Sequence, residues 1–249
     1  MRTSNPAFRD STFSAVCSSD GQSNAMTMDG TVHRACVLLF LVVVGAGWAW
    51  ARFSSVRHSR EILAYLLVGF FAGFLVALAT ILRPKWSPIT APIFALLQGL
   101  CLGVLSAALE LRHPGIAIEA VALTFGTCFC LLLAYRSGLV RATKGLRLGT
   151  VAATGGIAVA YLASMVMSLV GVPMPHVLAG GVPGVIVSII VVTVAALNLV
   201  LDFDFVERGI QSGAPKYMEW YAAFGLMLTL IWLYLEMLRL LTKARSDGR

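Results

Sequence analysis

Seven apolar runs of roughly membrane-crossing length divide this sequence, and they restrict its fold more than any other feature. A helix needs about 20 residues to cross a hydrocarbon core of about 30 Å. The runs are Ala35–Trp50, Ile62–Leu82, Thr90–Leu109, Ile116–Tyr135, Leu148–Val172, Val182–Leu201 and Tyr217–Leu241. Prolines and glycines lie between them, as expected where helices end. The pattern predicts a polytopic membrane protein with about seven transmembrane spans.

The same runs are typical of helices rather than of a transmembrane barrel. Barrel strands alternate polar and apolar residues, whereas the stretch Val185–Ala196 is almost continuously apolar. The composition agrees, because 58% of the 249 residues are hydrophobic and only 12% are charged, against about 25% charged in soluble domains. We therefore expect an all-α bundle of the seven-helix type, with lipid around most of the chain.

Polar segments flank the apolar part at both ends. Residues 1–33 are rich in Ser, Thr and Asn and predict a flexible tail, and residues 243–249 predict a short basic tail. The region between them, 34–242, is predicted to be the transmembrane domain. A signal peptide explains the beginning less well, because the polar lead is long and no cleavage-site pattern follows the first apolar run.

Basic residues lie mostly in short loops, where they set the orientation of a membrane protein. The net charge of +7 therefore does not predict nucleic acid as a partner, and the predicted partner is the lipid bilayer. The loop before span five carries Arg136, Arg141, Lys144 and Arg147, whereas the next loop, 173–181, carries no Lys or Arg. That contrast predicts a cytoplasmic amino terminus, although basic residues after span one and at the carboxyl end favour the opposite orientation.

Two G-x-x-x-G patterns occur in the second and third spans. Gly69 and Gly73 form the first, and Gly99 and Gly103 form the second. Small residues at this spacing let two helix backbones approach closely in lipid. We therefore predict that all four glycines lie at contacts between helices.

Acidic residues near the turn between spans six and seven are the strongest functional candidates. A charge at mid-bilayer costs about 2.5–3.5 kcal/mol even on permissive scales, so such residues are functional candidates by default. Asn198 lies one helical turn before Asp202, and together they predict a polar face that avoids lipid. Asp202 is the first candidate for a buried carboxylate. Asp204 is only the second candidate, because it could form an ordinary ion pair with Arg208 one turn later.

Glu219, near the start of span seven, is the predicted partner of these aspartates. Two carboxylates that converge at the mouth of a bundle could share a proton or bind a hard cation such as Ca²⁺. The pair Asp202 and Glu219 would then form a pH sensor and ion gate. The alternative is that these acids lie in the headgroup region and pair with Arg208 and Lys216.

Three further polar residues lie within the spans. Glu236 and Arg239 are three residues apart and predict a surface or interfacial pair, and Gln98 is an uncharged group in span three. The sequence has no nucleophile-elbow, zinc-protease or nucleotide-loop motif. We therefore expect no enzymatic activity, no catalytic residue and no bound cofactor.

Several segments resemble the bacterial YccA-like branch of the Bax inhibitor (TMBIM) family. They are Arg2–Phe8, Arg83–Pro92, Val151–Gly156, Leu197–Glu207, Gly213–Tyr221 and Trp232–Leu241. The resemblance extends over nearly the whole chain. It implies a bundle of seven helices in which the others surround a central last helix, and it implies a bacterial inner membrane as the location.

The resemblance also implies a pH-sensitive calcium leak, in which acids on the last two helices form the sensor and gate. The acid of span six falls on Asp202 or Asp204, and the acid of span seven falls on Glu219, where well-known relatives have aspartate. Relatives in this branch also have an acid in span three where Gln98 stands. Ca²⁺ would be the transported ion, rather than a resident cofactor.

A second class of function stays open. The protein could instead be a non-transporting modulator of other membrane proteins, such as a membrane protease, as the same resemblance suggests. A continuous polar path across the bundle would favour the leak. The stretches 185–196 and 226–233 are almost entirely apolar, which predicts a leak that is closed at rest.

Overall fold

Seven α-helices make up most of the computed structural model, which describes residues 25–53, 59–170 and 181–247. They are α1 (Met28–Phe53), α2 (Ser59–Leu82), α3 (Ser87–Glu110), α4 (Ile116–Arg136), α5 (Lys144–Leu169), α6 (Gly181–Gln211) and α7 (Met218–Asp247). A short 3-10 helix, Pro84–Trp86, joins α2 to α3. Strand-like pairing in the described residues is limited to an isolated bridge between Ala25 and Pro215. The fold is all-α, as the sequence predicts.

Six helices within the described residues are long and apolar enough to cross a membrane. They are α1, α3 with its preceding 3-10 helix, α4, α5, α6 and α7. The apolar segment found in α2, Leu66–Leu82, is shorter. The fold is therefore that of a polytopic helical membrane protein, and a seventh span stays a prediction.

The first helix begins earlier than hydropathy predicts. α1 starts at Met28 rather than at Ala35, so residues 28–33, predicted to lie in a flexible tail, are helical instead. Asp29 in the first turn suits the positive end of the helix dipole, and Thr27, just before the helix, is held by the distant Glu219 carboxylate. Residues 1–24 of the predicted tail lie outside the described residues.

The last two helices end later than predicted. α6 continues to Gln211 and α7 to Asp247, whereas the apolar runs end at Leu201 and Leu241. Polar side chains in these extra turns have partners within the protein, so the helices continue where hydropathy falls. Part of the predicted tail 243–249 is consequently helical.

The described residues divide into two compact units. The amino-terminal unit comprises residues of Pro6–Ala117 and Phe205–Leu228, and the carboxy-terminal unit comprises residues of Ile118–Asp204 and Thr229–Arg249. Helices α6 and α7 contribute to both units.

Glycines bring α1 and α3 into close contact in the amino-terminal unit. A β-carbon added at Gly99 would lie 3.0 Å from the Cα atom of Val42, and one at Gly103 would lie 2.8 Å from the Cα atom of Ala46. Gly45 of α1 meets the α3 backbone in a similar way. A larger residue would push the two backbones apart and lose the dispersion contacts that hold helices together in lipid.

The other glycine pair lies where α2 meets α3. A β-carbon at Gly73 would lie 3.3 Å from Oε1 of Gln98, and one at Gly69 would collide with Sγ of Cys101. These neighbours are side chains rather than backbone, so they can move more easily. Of the two glycine contacts, the one between α1 and α3 is therefore less tolerant of added volume.

Candidate functional site

Four Asp, Glu or Lys side chains are buried among the described residues. Asp202 is 1% exposed, Glu219 is 0%, Glu236 is 1% and Lys243 is 9%. Burying a charge is costly unless it is paired and hydrogen-bonded. The contacts of each group therefore indicate its role.

Glu219 lies in the first turn of α7, in the amino-terminal unit. Its Oε1 accepts hydrogen bonds from the backbone N–H and the hydroxyl of Thr27, each at 2.9 Å. Arg34 forms an ion pair with Oε2, and the Lys216 ammonium lies 3.7 Å from Oε1. The backbone N–H, the guanidinium and the ammonium can only donate, so this site suits an ionised carboxylate.

Arg34 is fixed by more than its ion pair. Its guanidinium donates to the Gly30 carbonyl at 3.0 Å and lies over the Trp220 ring, 5.5 Å from the ring centre. Gly30 also leaves room for the acid, because a β-carbon there would collide with the Glu219 carboxylate. Gly30 and Arg34 of α1 therefore both form part of the site that holds the Glu219 carboxylate.

The segment before α1 is fixed to the turn before α7. The Met26 N–H donates to the Ala214 carbonyl at 2.6 Å, and the Met26 side chain is 2% exposed. On α3, the Ser87 hydroxyl donates to the Tyr217 carbonyl at 3.1 Å. Together with Glu219, these contacts anchor the starts of α1 and α3 to the start of α7.

Asp202 lies on α6 in the carboxy-terminal unit. Its carboxylate accepts a hydrogen bond from the Thr229 hydroxyl of α7. One turn earlier, the Asn198 amide donates to the Thr154 hydroxyl of α5 at 2.8 Å and to the Val194 carbonyl at 2.9 Å. This polar face of α6 is thus enclosed by α5 and α7.

Asp204 is less buried than Asp202 and belongs to a different contact. It forms a 2.6 Å ion pair with Arg147 of α5, and the two side chains are 16% and 15% exposed. The predicted pairing with Arg208, which is half-buried, stays a prediction.

The predicted pair of Glu236 and Arg239 is present, but its predicted position at the surface is wrong for Glu236, whose side chain is only 2% exposed. The Arg239 guanidinium donates to both carboxylate oxygens, at 2.8 and 3.1 Å. Donors from two more side chains complete the site: the Tyr161 hydroxyl of α5 at 3.0 and 3.1 Å, and the Trp232 indole at 3.2 Å. Spacing along α7 could not show that Tyr161 encloses the pair.

Lys243, near the end of α7, is buried against the beginning of α6. Its ammonium donates to the Ser188 hydroxyl at 3.0 Å and to the Gly184 carbonyl at 3.2 Å. The carboxy-terminal unit therefore contains buried polar contacts near both ends of its α6–α7 pair and between them.

The predicted sensor residues fall in different units. Asn198, Asp202 and Asp204 lie in the carboxy-terminal unit, whereas Gln98, Arg208 and Glu219 lie in the amino-terminal unit. A direct approach of Asp202 to Glu219, and Ca²⁺ binding by that pair, stay predictions. In the described ranges, no group of three or more His, Cys, Asp or Glu side chains could hold a metal ion.

Sequence reasoning missed several partners of the buried acids. Thr27 and Arg34 lie far from Glu219 in the chain and have no shared periodicity with it. The sequence did contain a signal for the polar contacts of α7. Thr229, Glu236 and Lys243 recur every seven residues, so they share one face of that helix.

Membrane-length helices, glycine-mediated packing and buried ionisable groups define a polytopic integral membrane protein. Residues 5–246 match the Bax inhibitor 1 like family, so the chain belongs to that family. No curated protein and no solved structure matches the chain.

Proposed function

We propose that this protein is a protonation-sensitive cation leak, with Ca²⁺ as the transported ion and Asp202 as the sensor. The observation that carries the proposal is a series of buried polar contacts along α5, α6 and α7 in the carboxy-terminal unit. Such a series favours a leak over a modulator that transports nothing. Polar side chains buried within membrane helices are typical of ion pathways.

Two contacts give the alignment of α6 and α7 in this unit. Asp202 meets Thr229, and Ser188 meets Lys243. Fourteen residues separate Asp202 from Ser188 (202 − 188), and fourteen separate Thr229 from Lys243 (243 − 229). The two helices therefore run antiparallel in constant register, and the two contacts lie about 21 Å apart along the pair.

Glu236 and its donors Tyr161, Trp232 and Arg239, which form the Glu236 cluster, lie midway between these two contacts. Seven residues, or about 10 Å of helix, separate Glu236 from Thr229 and from Lys243. Three polar levels thus occupy most of a hydrocarbon core about 30 Å thick. The apolar layers between them agree with a pathway that is closed at rest.

Asp202 is a suitable sensor because of the donor that faces it. A threonine hydroxyl donates to an ionised carboxylate and accepts from a protonated one, so the contact with Thr229 tolerates both forms. Two residues further along α6, Asp204 forms an ion pair with Arg147. Ionised Asp202 adds a negative charge to the pathway, so we expect Ca²⁺ flux to rise with pH.

The proposed location is a bacterial inner membrane with the amino terminus in the cytoplasm. The loop 136–147 is basic, whereas the next loop along the chain, 173–181, has no Lys or Arg. This contrast supports that orientation. The location itself rests on the resemblance to bacterial relatives.

Flux into liposomes that contain a Ca²⁺-sensitive dye, scanned over pH, tests this function. Asp202→Asn keeps an oxygen acceptor for Thr229 but cannot ionise, so its flux should be the same at every pH. Glu119→Gln is the matched control, since the Glu119 side chain is 48% exposed and pairs with Arg245 outside the polar series. A pH-dependent flux in Asp202→Asn would exclude Asp202 as sensor. Absence of flux in the parent protein would favour a membrane modulator.

A further inference from the structure

The Glu236 cluster has the composition of an ion-binding position that is already filled by a side chain. Its carboxylate contacts a hydroxyl, an indole N–H and a guanidinium. An ordinary i, i+3 ion pair needs only its two partners and lies at the surface, where it contributes little. The recruitment of Tyr161 from another helix and the burial of Glu236 require a different explanation.

Arg239 differs from Glu236 in its exposure. Its side chain is 44% exposed, against 2% for the acid, and its guanidinium lies 4.6 Å from the centre of the Tyr161 ring. One side of the guanidinium is therefore open while the other neutralises the carboxylate. Its hydrogen bonds to Glu236 and to the Tyr161 hydroxyl are with side chains only, so none of these contacts, which its movement would break, involves a backbone group.

We infer that Glu236 is a cation-binding position at the middle of the polar series, and that the Arg239 guanidinium occupies it in the closed protein. A carboxylate beside a phenol oxygen presents the oxygen ligands that hard cations such as Ca²⁺ prefer. A cation could bind there only after Arg239 has moved away. This inference rests on the proposed function and adds an occupant and a gate to it.

The charges along the series agree with a closed state. With Arg239 in place the Glu236 position carries no net charge, and the next level, at Lys243, carries a buried cation. A permeating cation would meet an occupied site followed by a like charge. Removing the guanidinium would restore one negative charge at mid-depth.

Four variants of the full-length protein test the inference: Arg239→Ala, Glu236→Gln, the double variant that combines them, and Arg245→Gln. The last is a matched control, because Arg245 also pairs with an acid but its partner Glu119 is exposed. Binding of Mn²⁺ alone is measured by electron paramagnetic resonance on purified protein, and Ca²⁺ flux is measured in liposomes. We expect Arg239→Ala to bind Mn²⁺ and to leak about tenfold faster than the parent. The double variant should do neither, and Arg245→Gln should match the parent.

Guanidinium ion separates a gate from a structural ion pair. In Arg239→Ala, millimolar guanidinium should compete with Mn²⁺ and slow the leak, because it can occupy the position that the side chain has left. A structural role would give no such competition. If Arg239→Ala does not fold, Arg239→Lys serves instead, and its smaller ammonium should weaken closure without removing the charge.

The outcomes separate the inference from the proposed function. Mn²⁺ binding by Arg239→Ala that is lost in the double variant, with no flux in any protein, would support the site and exclude the leak. Flux in the parent that is unchanged in Arg239→Ala, with no Mn²⁺ binding, would exclude the gate and leave the leak. Mn²⁺ binding that persists in the double variant would place the cation elsewhere and overturn the inference.

Discussion

Glu219 and Asp202 are both almost fully buried carboxylates, yet their surroundings differ in kind. Besides the Thr27 hydroxyl, Glu219 receives three donors that cannot accept a hydrogen bond, from the Thr27 backbone, Arg34 and Lys216. Asp202 receives a hydroxyl from Thr229, which can reverse its hydrogen bond. Burial alone therefore does not identify a proton sensor, because the chemistry of the donors decides whether a change of protonation is tolerated. This contrast supports our proposal that Asp202 is the sensor, and we propose a structural role for Glu219.

The largest effect that this comparison predicts is on stability at Glu219. Glu219→Gln leaves the Arg34 side chain, which is only 19% exposed, without its anion. Breaking a buried ion pair costs about 3–5 kcal/mol. Thermal unfolding in detergent should show a large fall in Tm. Glu119→Gln, which breaks a pair of partly exposed side chains, should change stability by less than about 1 kcal/mol. Equal effects of the two substitutions would remove the distinction between anchor and sensor.

The packing of the amino-terminal unit should show the next largest effect. Gly99→Ala places a methyl group against the α1 backbone at Val42, and overpacking typically costs about 1–3 kcal/mol. Gly126→Ala in α4 is the control, because a β-carbon there would meet no atom within 4 Å. Thermal unfolding of both variants measures the difference. A Gly99→Ala variant as stable as Gly126→Ala would mean that the close α1–α3 contact can relax at little cost.

The smallest effect on stability is expected at Asp202. Asp202→Asn is the same acid-to-amide change as Glu219→Gln, but the amide oxygen can still accept from Thr229. We expect the free energy of unfolding to change by less than about 1 kcal/mol, measured in the same detergent. A loss as large as that of Glu219→Gln would indicate that Asp202 is also structural.

The sequence predicts those parts of this molecule that depend on short-range patterns. Hydropathy predicts the membrane-length helices, and the four-residue spacing of Asn198 and Asp202 predicts that they share a face. The start of α1 at Met28 is not predicted, because Thr27 is held there by an acid from the opposite end of the chain. Glu236 was misinterpreted for the same reason, since Arg239 is visible at i+3 whereas Tyr161 comes from another helix.

The pair of Arg34 and Glu219 has a consequence for biosynthesis. The two residues are 185 positions apart (219 − 34), and chains are synthesised at about 5–20 residues per second, so roughly 10–40 s pass between them. During that interval α1 has entered the membrane region while its arginine still lacks the acid. Arg34 therefore stays without its partner until α7 has been synthesised. Its long side chain, near the start of α1, can reach water during that time. Completion of the bundle is thereby linked to completion of the chain, because a nascent protein truncated before α7 keeps the Arg34 charge without its acid.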